Sequence, residues 1–352
     1  MSCYHPLKAL DFGVNPETGK HNIKVVGKDY NLEESIVESV DVIPIPCGKC
    51  IGCLLDRSRQ WADRCMLEAK YLKEEYGLPS CFITLTIDDE HLYTKVPIHH
   101  GELTWYPIEN KNYDTNGVEK EREYVSLRKK DFQKFMKRLR KELGKDDIKV
   151  RYFGCSEYGS SSARPHYHAI IFGYDFSADR VLYKTNFNGD RLYNSCLLSK
   201  CWPFGFSVVA DCTWNTCAYV SRYCLKKRDN DLHEFYHYCE CEPESVFMSR
   251  RPGIGRNYYD AHCRDIYRFE VILLGDAKGS RKIRPPHYFD KLYDLDYPTD
   301  YKRIKDKRRL SSKSLIMQQL QRTDLDYLEY MNVKEYNHIK RTEILKERSV
   351  EK

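Results

Sequence analysis

The sequence predicts an α+β protein. A central antiparallel sheet in a split βαβ arrangement follows a cysteine-rich helical segment and precedes a helical appendage. Three observations carry this expectation. Apolar, β-branched runs of strand length recur between turn residues: CFITLTIDD at Cys81–Asp89, IKVRYFGCSE at Ile148–Glu157, PHYHAIIF at Pro165–Phe172 and FGFSVVADC at Phe204–Cys212. Segments with apolar residues at helical spacing separate them. From Cys81 the order is strand, helix, strand, strand, helix, strand, helix, which a sheet with helices packed on one face satisfies, the PHYHAIIF strand lying centrally.

Taken in order, residues 1–45 show no strong pattern. PCGKCIGC follows, placing Cys47, Cys50 and Cys53 at intervals of three. Two thiolates on a tight Cys-x-x-Cys turn can share one tetrahedral zinc ion. Three cysteines do not complete such a site, so Cys65, or the Cys239 and Cys241 pair, is the candidate fourth ligand; a set of reduced thiols is the alternative. A helix over Leu54–Tyr76 carries Trp61, Cys65, Ala69, Leu72 and Tyr76 on one side, and Gly77 and Pro79 end it. After the Cys81 strand, residues 90–126 read as a long loop or insertion. The helix beginning near Arg128 carries Phe132, Phe135, Met136, Leu139 and Leu143 as an apolar stripe, and Lys129, Lys130, Lys134, Lys137 and Arg138 among its basic residues. Ile148–Glu157 and the PHYHAIIF strand form a hairpin across YGSSSARP. A helical segment is expected near Leu192–Trp202, then the Phe204 strand, then a helix capped by Thr213 and running to about Arg228. MSRRPGIGRNYY, with Arg250 and Arg251, reads as a basic, glycine-punctuated loop. These divisions give 1–78 as an N-terminal region, 79–228 as a core, 229–300 as an accessory region and 301–352 as a charged helical tail.

Composition bounds the function. The 352 residues carry 58 Lys and Arg against 52 Asp and Glu, a net charge of +6, and the mean hydropathy is −0.68. No apolar run is long enough to span a bilayer, and MSCYHPLKAL lacks the layout of a secretory signal, so a cytoplasmic protein without membrane partners is expected. The 15 cysteines then read as free thiols and a metal site in preference to disulfides. Basic runs at Arg128–Lys141 and Tyr301–Arg309, with 28 tyrosines, suit phosphate contacts and stacking of unpaired bases.

The chemistry centres on RPHYHAIIF. Strand side chains alternate, so His166 and His168 share a face, about 7 Å apart along the strand, while Tyr167 faces the other way. If Glu157 pairs with His166 across the hairpin, its carboxylate joins the imidazoles in a three-ligand site with open positions, suited to a catalytic divalent ion. Asp88, Asp89 and His91 are substitutes if the register slips. In AYVSRYCLKK, Tyr219, Tyr223 and Lys226 fall on one helix face, with Cys217, Val220 and Cys224 opposite as the core stripe. A phenol becomes a nucleophile at neutral pH once its phenolate is stabilised, by a lysine or by a metal-bound phosphate.

The strand FITLT, the His-hydrophobe-His of RPHYHAIIF and the tyrosines and lysine of YVSRYCLK occur in the order found in the HUH endonuclease superfamily, which the chain resembles. With PCGKCIGC, SEYG and MSRRPGIGRN, the segment from Cys47 to Tyr259 looks like the replication initiator of gokushovirus-type Microviridae phages. The resemblance implies a ferredoxin-like HUH core and a rolling-circle nickase and ligase. It implies Mg2+ or Mn2+ on His166, His168 and Glu157, and Tyr219 and Tyr223 as nucleophiles aided by Lys226. Single-stranded and replicative-form origin DNA are the implied substrates, contacted by the basic helix, Arg164, Arg250 and Arg251. A host polymerase and helicase are the implied partners, in the cytoplasm of the bacterial host. The cysteine cluster is not part of the superfamily core. The competing reading is a zinc-bearing DNA-binding protein without catalysis; a histidine-triad hydrolase would need a third alternating histidine where Ile170 stands.

Overall fold

The computed structural model describes residues 3–15, 21–26, 41–95, 124–159, 163–186, 189–226, 236–276 and 279–350. The chain divides into two compact units, residues 58–292 and residues 1–57 with 293–352.

In the larger unit, β-branched and aromatic runs build a seven-stranded sheet in which every neighbouring pair is antiparallel. Its spatial order is β12 (Ser245–Met248), β7 (Arg151–Tyr158), β8 (Pro165–Phe172), β4 (Ser80–Thr86), β11 (Ser207–Asp211), β10 (Arg191–Ser195) and β9 (Arg180–Thr185). The histidine strand β8 has a partner on each side, as expected. The segment read as a helix near Leu192–Trp202 is instead β10 followed by the short helix α3 (Cys196–Cys201). RLYNS alternates over too few residues to compete with a helical reading, and pairing with β9 and β11 decides it.

The sheet is covered on both faces, which corrects the one-face expectation. One face packs Ile83, Leu85, Tyr167, Ala169, Ile171 and Val209 against α2 (Lys129–Leu143) and α3. All five residues of the predicted apolar stripe on α2 are buried there. Tyr167, between the two histidines, fixes the start of α2: its hydroxyl donates to the Arg128 carbonyl at 2.8 Å and accepts from the Arg128 amide at 3.1 Å. The opposite face packs Phe82, Phe153, Cys155, Ile170 and Phe172 against α1 (Ile51–Tyr76), through Ala62 and Cys65, and α4 (Trp214–Lys226), through Cys217 and Val220. This is the face that carries the histidines, because the register pairs Cys155 with His168 and Glu157 with His166. Residues 96–123 of the expected insertion lie outside the described residues; the flanking Thr94–Lys95 and Tyr124–Val125 pair as β5 and β6.

Beyond β12, the MSRRPGIGRN loop is tied down from below. Arg64 on α1 donates to the Ile254 carbonyl at 2.9 Å, and fully buried Glu68 accepts from the Gly255 amide at 2.6 Å and pairs with Arg151. Helix α5 (Arg256–Phe269), the hairpin β13 (Ile272–Asp276) with β14 (Gly279–Ile283), and helix α6 (His287–Asp296) follow.

The smaller unit holds a structure that the first 45 residues did not reveal. β1 (Leu7–Val14) pairs antiparallel with both β2 (His21–Val26) and β3 (Asp41–Ile45). Each strand is short and interrupted by Gly, Pro or charge, so no window shows a clean period. The expected helical tail is present as α7 (Pro298–Leu320) and α8 (Tyr327–Val350). Among the described residues no helix is long and apolar enough to cross a membrane.

Candidate active site

The site forms where β4, β7 and β8 lie side by side on the face shared with α4. Thr84 and Thr86 of β4 stand opposite His168 and His166. Their hydroxyls bond the imidazole Nδ1 atoms, at 3.0 Å for Thr84 to His168 and 3.1 Å for Thr86 to His166. A hydroxyl can donate to or accept from a ring nitrogen, so each threonine orients its ring through Nδ1 and leaves Nε2 as the working atom. Phe82, further along β4, stacks on the His168 ring at 5.7 Å between centroids. Gly159 gives His166 its room: a Cβ there would sit 3.0 Å from His166 Nε2.

Glu157 is buried near the end of β7 and uses one carboxylate oxygen twice. Oε1 lies 2.7 Å from His168 Nε2 and accepts from the Tyr219 hydroxyl at 3.0 Å. The register assumed from sequence, Glu157 beside His166, is the one found, and the carboxylate reaches diagonally to His168. The two imidazole centroids are 6.2 Å apart, and the Tyr219 ring meets that of His168 edge-on at 5.0 Å. Helix α4 therefore delivers a phenol oxygen directly to the histidine and carboxylate cluster. Cys217 and Val220 on its other side are fully buried. The side chains of Tyr223 and Lys226 lie outside the described residues. A cation not singled out in the sequence takes a place here: Arg222, exposed, with its guanidinium carbon 6.0 Å from the Tyr219 ring centre.

Electrostatics follow from burial. The Tyr219 phenol is pushed up, first by burial and then by the Glu157 carboxylate beside it, with Arg222 opposing. His166 is pushed below the usual imidazole value by burial and by His168, against the pull of Glu157. Two neutral imidazoles and a carboxylate are a donor set that suits a divalent cation. The substitutes beyond β4 are engaged elsewhere: Asp88 accepts from His91 Nδ1 at 2.6 Å, and Asp89 pairs with Arg164.

The cysteines assemble differently from the expectation. The sulfur atoms that gather within 4.8 Å of one another belong to Cys3, Cys47, Cys50 and Cys53, and this group can hold a metal such as zinc. Cys65 is not among them: it is buried beside Cys217 under the sheet. Cys239 and Cys241 form a separate buried cluster with Tyr236. Cys3 stands 44 residues before Cys47, and no spacing rule reaches that far.

The predicted DNA contacts are dispersed. Lys129, Lys130, Lys134 and Lys137 are exposed on α2, on the sheet face opposite the histidines. Arg138 is spent on packing, donating to the Cys201 carbonyl at 2.7 Å. Arg164 precedes His166 and donates to the Ile87 carbonyl at 2.8 Å. Arg250 and Arg251 are exposed on the loop rooted on Glu68.

Comparison with known proteins places this cluster in a context. A family of replication-associated proteins of the ORF2 type matches residues 80–228, the span from β4 to beyond α4 that contains Glu157, His166, His168 and Tyr219. The chain is 29% identical over 339 residues to "Replication-associated protein ORF2" of Spiroplasma virus 4, covering 94% of this chain and 93% of that one. It belongs with the phage replication-associated proteins. "Replication-associated protein VP4" of Bdellovibrio phage phiMH2K is 25% identical over 338 residues, covering 93% and 88%. "Replication-associated protein ORF4" of Chlamydia phage 1 is 27% identical over 296 residues, covering 78% of this chain and 61% of its own. No solved structure matches. The gokushovirus-type resemblance read from the motifs is thereby supported. Of the features above, the family match takes in the histidine face but not Cys3, Cys47, Cys50 or Cys53.

Proposed function

We propose that this phage replication-associated protein initiates rolling-circle replication inside the host cell, by nicking one strand of circular DNA at its origin and later rejoining it. The observation that carries this is the shared Glu157 oxygen, which joins His168 Nε2 to the hydroxyl of Tyr219. We read the strand order β11, β4, β8, β7 as the ferredoxin-like core of an HUH endonuclease. Mg2+ or Mn2+ held by His166, His168 and Glu157 would supply Lewis-acid polarisation of the scissile phosphate. The threonine-held Nδ1 atoms support that fit, since they present both Nε2 atoms.

The chain's own residues do the rest. Tyr219 Oη attacks phosphorus and its proton passes to the Glu157 carboxylate, to which it already donates. The bond from phosphorus to the 3′ oxygen breaks, and that oxygen leaves with the electron pair and takes a proton from water. The 5′ phosphate stays on the tyrosine, so the bond's energy is kept for rejoining without a nucleotide cofactor. Arg222 and Lys226 are the candidate cations for the charge that develops near Tyr219. Tyr223, one helical turn on, is the candidate second nucleophile for closing the circle. The 3′ hydroxyl released would prime a host polymerase, with a host helicase opening the duplex.

The test is incubation of the purified chain with single-stranded origin oligonucleotides and Mn2+, read on a denaturing gel. A metal-dependent cut with a covalent protein–DNA band is expected, lost when Tyr219 and Tyr223 are both changed to Phe while binding persists. An adduct surviving in that double variant overturns the nucleophile assignment. The cysteine group favours a second reading, a metal-bearing DNA-binding protein without catalysis; tight origin binding with no cut under any metal would establish it.

A further inference from the structure

We propose that Cys3, Cys47, Cys50 and Cys53 form a zinc site that clasps the C-terminal helix α8 onto the N-terminal segment of the smaller unit. The inference is independent of the nicking mechanism.

Four features make this a built site rather than a coincidence of thiols. First, the distances fit. Zinc–thiolate bonds of about 2.3 Å in a tetrahedron put sulfur atoms about 3.8 Å apart; Cys3 and Cys50 Sγ lie 3.9 Å apart, and all four sulfurs are within 4.8 Å of one another. Second, Cys47-Gly48-Lys49-Cys50 forms a turn whose amides point back at the first sulfur. Lys49 N donates to Cys47 Sγ at 3.4 Å and Cys50 N at 3.3 Å, with Gly48 at φ 71° making the reversal. Third, the incoming segment contributes in kind. Cys47 N donates to Cys3 Sγ at 3.2 Å and Tyr4 N to Cys50 Sγ at 3.4 Å. Amide donors of this sort spread the charge of a tetrathiolate centre. Fourth, Cys50 and Cys53 sit at the start of α1, where the helix dipole favours anionic sulfur. Zinc binding exchanges the thiol protons for one cation, the protons going to solvent.

The clasp follows from what stands next to Cys3. The Tyr4 hydroxyl lies 2.7 Å from His338 Nδ1, and their rings meet edge-on at 6.0 Å. His5 pairs with Glu335. Both partners are on α8. The short N-terminal segment that supplies one zinc ligand therefore also supplies the side chains that hold α8, and β1 begins immediately after it at Leu7. The ion adds metal–sulfur bonds that tie this segment to Cys47 and to the start of α1. Loss of metal should free Tyr4 and His5 together and release α8 with them.

The experiment has two arms, both on the full-length chain expressed with zinc and purified under reducing conditions. In the first, metal analysis should find about one zinc per chain, and Co2+ exchanged into the site should give a thiolate-to-cobalt charge-transfer band with intense tetrahedral visible bands. Cys65→Ser should keep the metal. Cys3→Ser should weaken retention at least about tenfold, and Cys3→His should restore it with shifted cobalt bands, which guards against mere misfolding. No zinc and no thiolate band, retention unchanged by Cys3→Ser, or disulfides among these four cysteines in freshly lysed cells would overturn the site. In the second arm, amide exchange of residues 327–341 should rise on chelation, and should also rise in Tyr4→Phe with His5→Ala although zinc is retained. Protection of α8 unchanged in either condition would overturn the clasp.

Discussion

Glu157 is the residue on which the histidine cluster turns, because a single buried oxygen serves an imidazole and a phenol at once. Replacing it by Gln keeps the shape but removes the charge that raises Tyr219 and attracts a cation. Cleavage in Glu157→Gln is expected to fall by at least about a hundredfold at every Mn2+ concentration, whereas thermal stability should change by no more than about 1–3 kcal/mol, the cost of weakening one buried hydrogen-bond set. Initial-rate assays beside thermal unfolding separate the two. Thr84 and Thr86 act one step further from the ion. Thr84→Val should weaken the apparent Mn2+ affinity about 10–100-fold, as removal of a ligand-orienting group does, with the maximal rate recoverable at high metal; a Mn2+ titration of the nick reads this. The pH dependence follows from His166. Its folded value is depressed below the ordinary 6.5, so the ring is neutral, and able to ligate, above that value and for some distance beneath it. Protonation therefore removes ion binding only as the pH falls below about 6.5. Mn2+-dependent cleavage should hold flat from about pH 8 down to that point and then decline; a decline that begins well above it would place the titrating group elsewhere.

At the scale of elements, β8 is the strand that two helix layers read from opposite sides. Its histidines meet α4, and Tyr167 between them anchors α2 on the far face. The period of two residues along a strand thus assigns site-forming and structural side chains to alternate positions. Phe132 belongs to the structural side: buried, it packs on Tyr167, Phe135 and Phe247, the last at 4.1 Å between ring centres. Phe132→Ala should cost about 3–5 kcal/mol of stability in urea unfolding, while leaving cleavage per folded molecule near wild type because the cavity opens on the face away from His166. Cleavage lost in proportion to the folded fraction and no further, measured on the same samples, checks that separation of the two faces.

Across the whole molecule, the two units carry different burdens. The larger one holds the histidine face between two apolar layers, and the smaller one holds the cysteine group. Two units of such different composition need not unfold together. Calorimetry should resolve more than one transition, and chelation should lower one of them while leaving the other in place. A single transition shifted as a whole would instead mean that the units fold as one. Within the larger unit, Glu68 joins α1, β7 and the Arg250–Arg251 loop through its contacts with Arg151 and Gly255. That pairing links the strand of Glu157 to a basic loop nearly a hundred residues further along the chain.

The sequence alone determined the pieces that obey a short period. Those are the hairpin and its register, the face shared by His166, His168 and Glu157, the buried stripe of α2, and a helix presenting Tyr219 opposite Cys217 and Val220. Each is written within a dozen residues or so, where strand and helix periodicities act. Tertiary structure decided what depends on remote neighbours: that helices cover both faces of the sheet, that residues 191–195 pair as a strand, that Thr84 and Thr86 hold the rings, and that the first 45 residues contain a sheet. It also decided that the fourth sulfur is Cys3 and not Cys65. Local spacing limits where a side chain can point, but which distant side chain comes to meet it is fixed by how the whole chain buries its apolar surface.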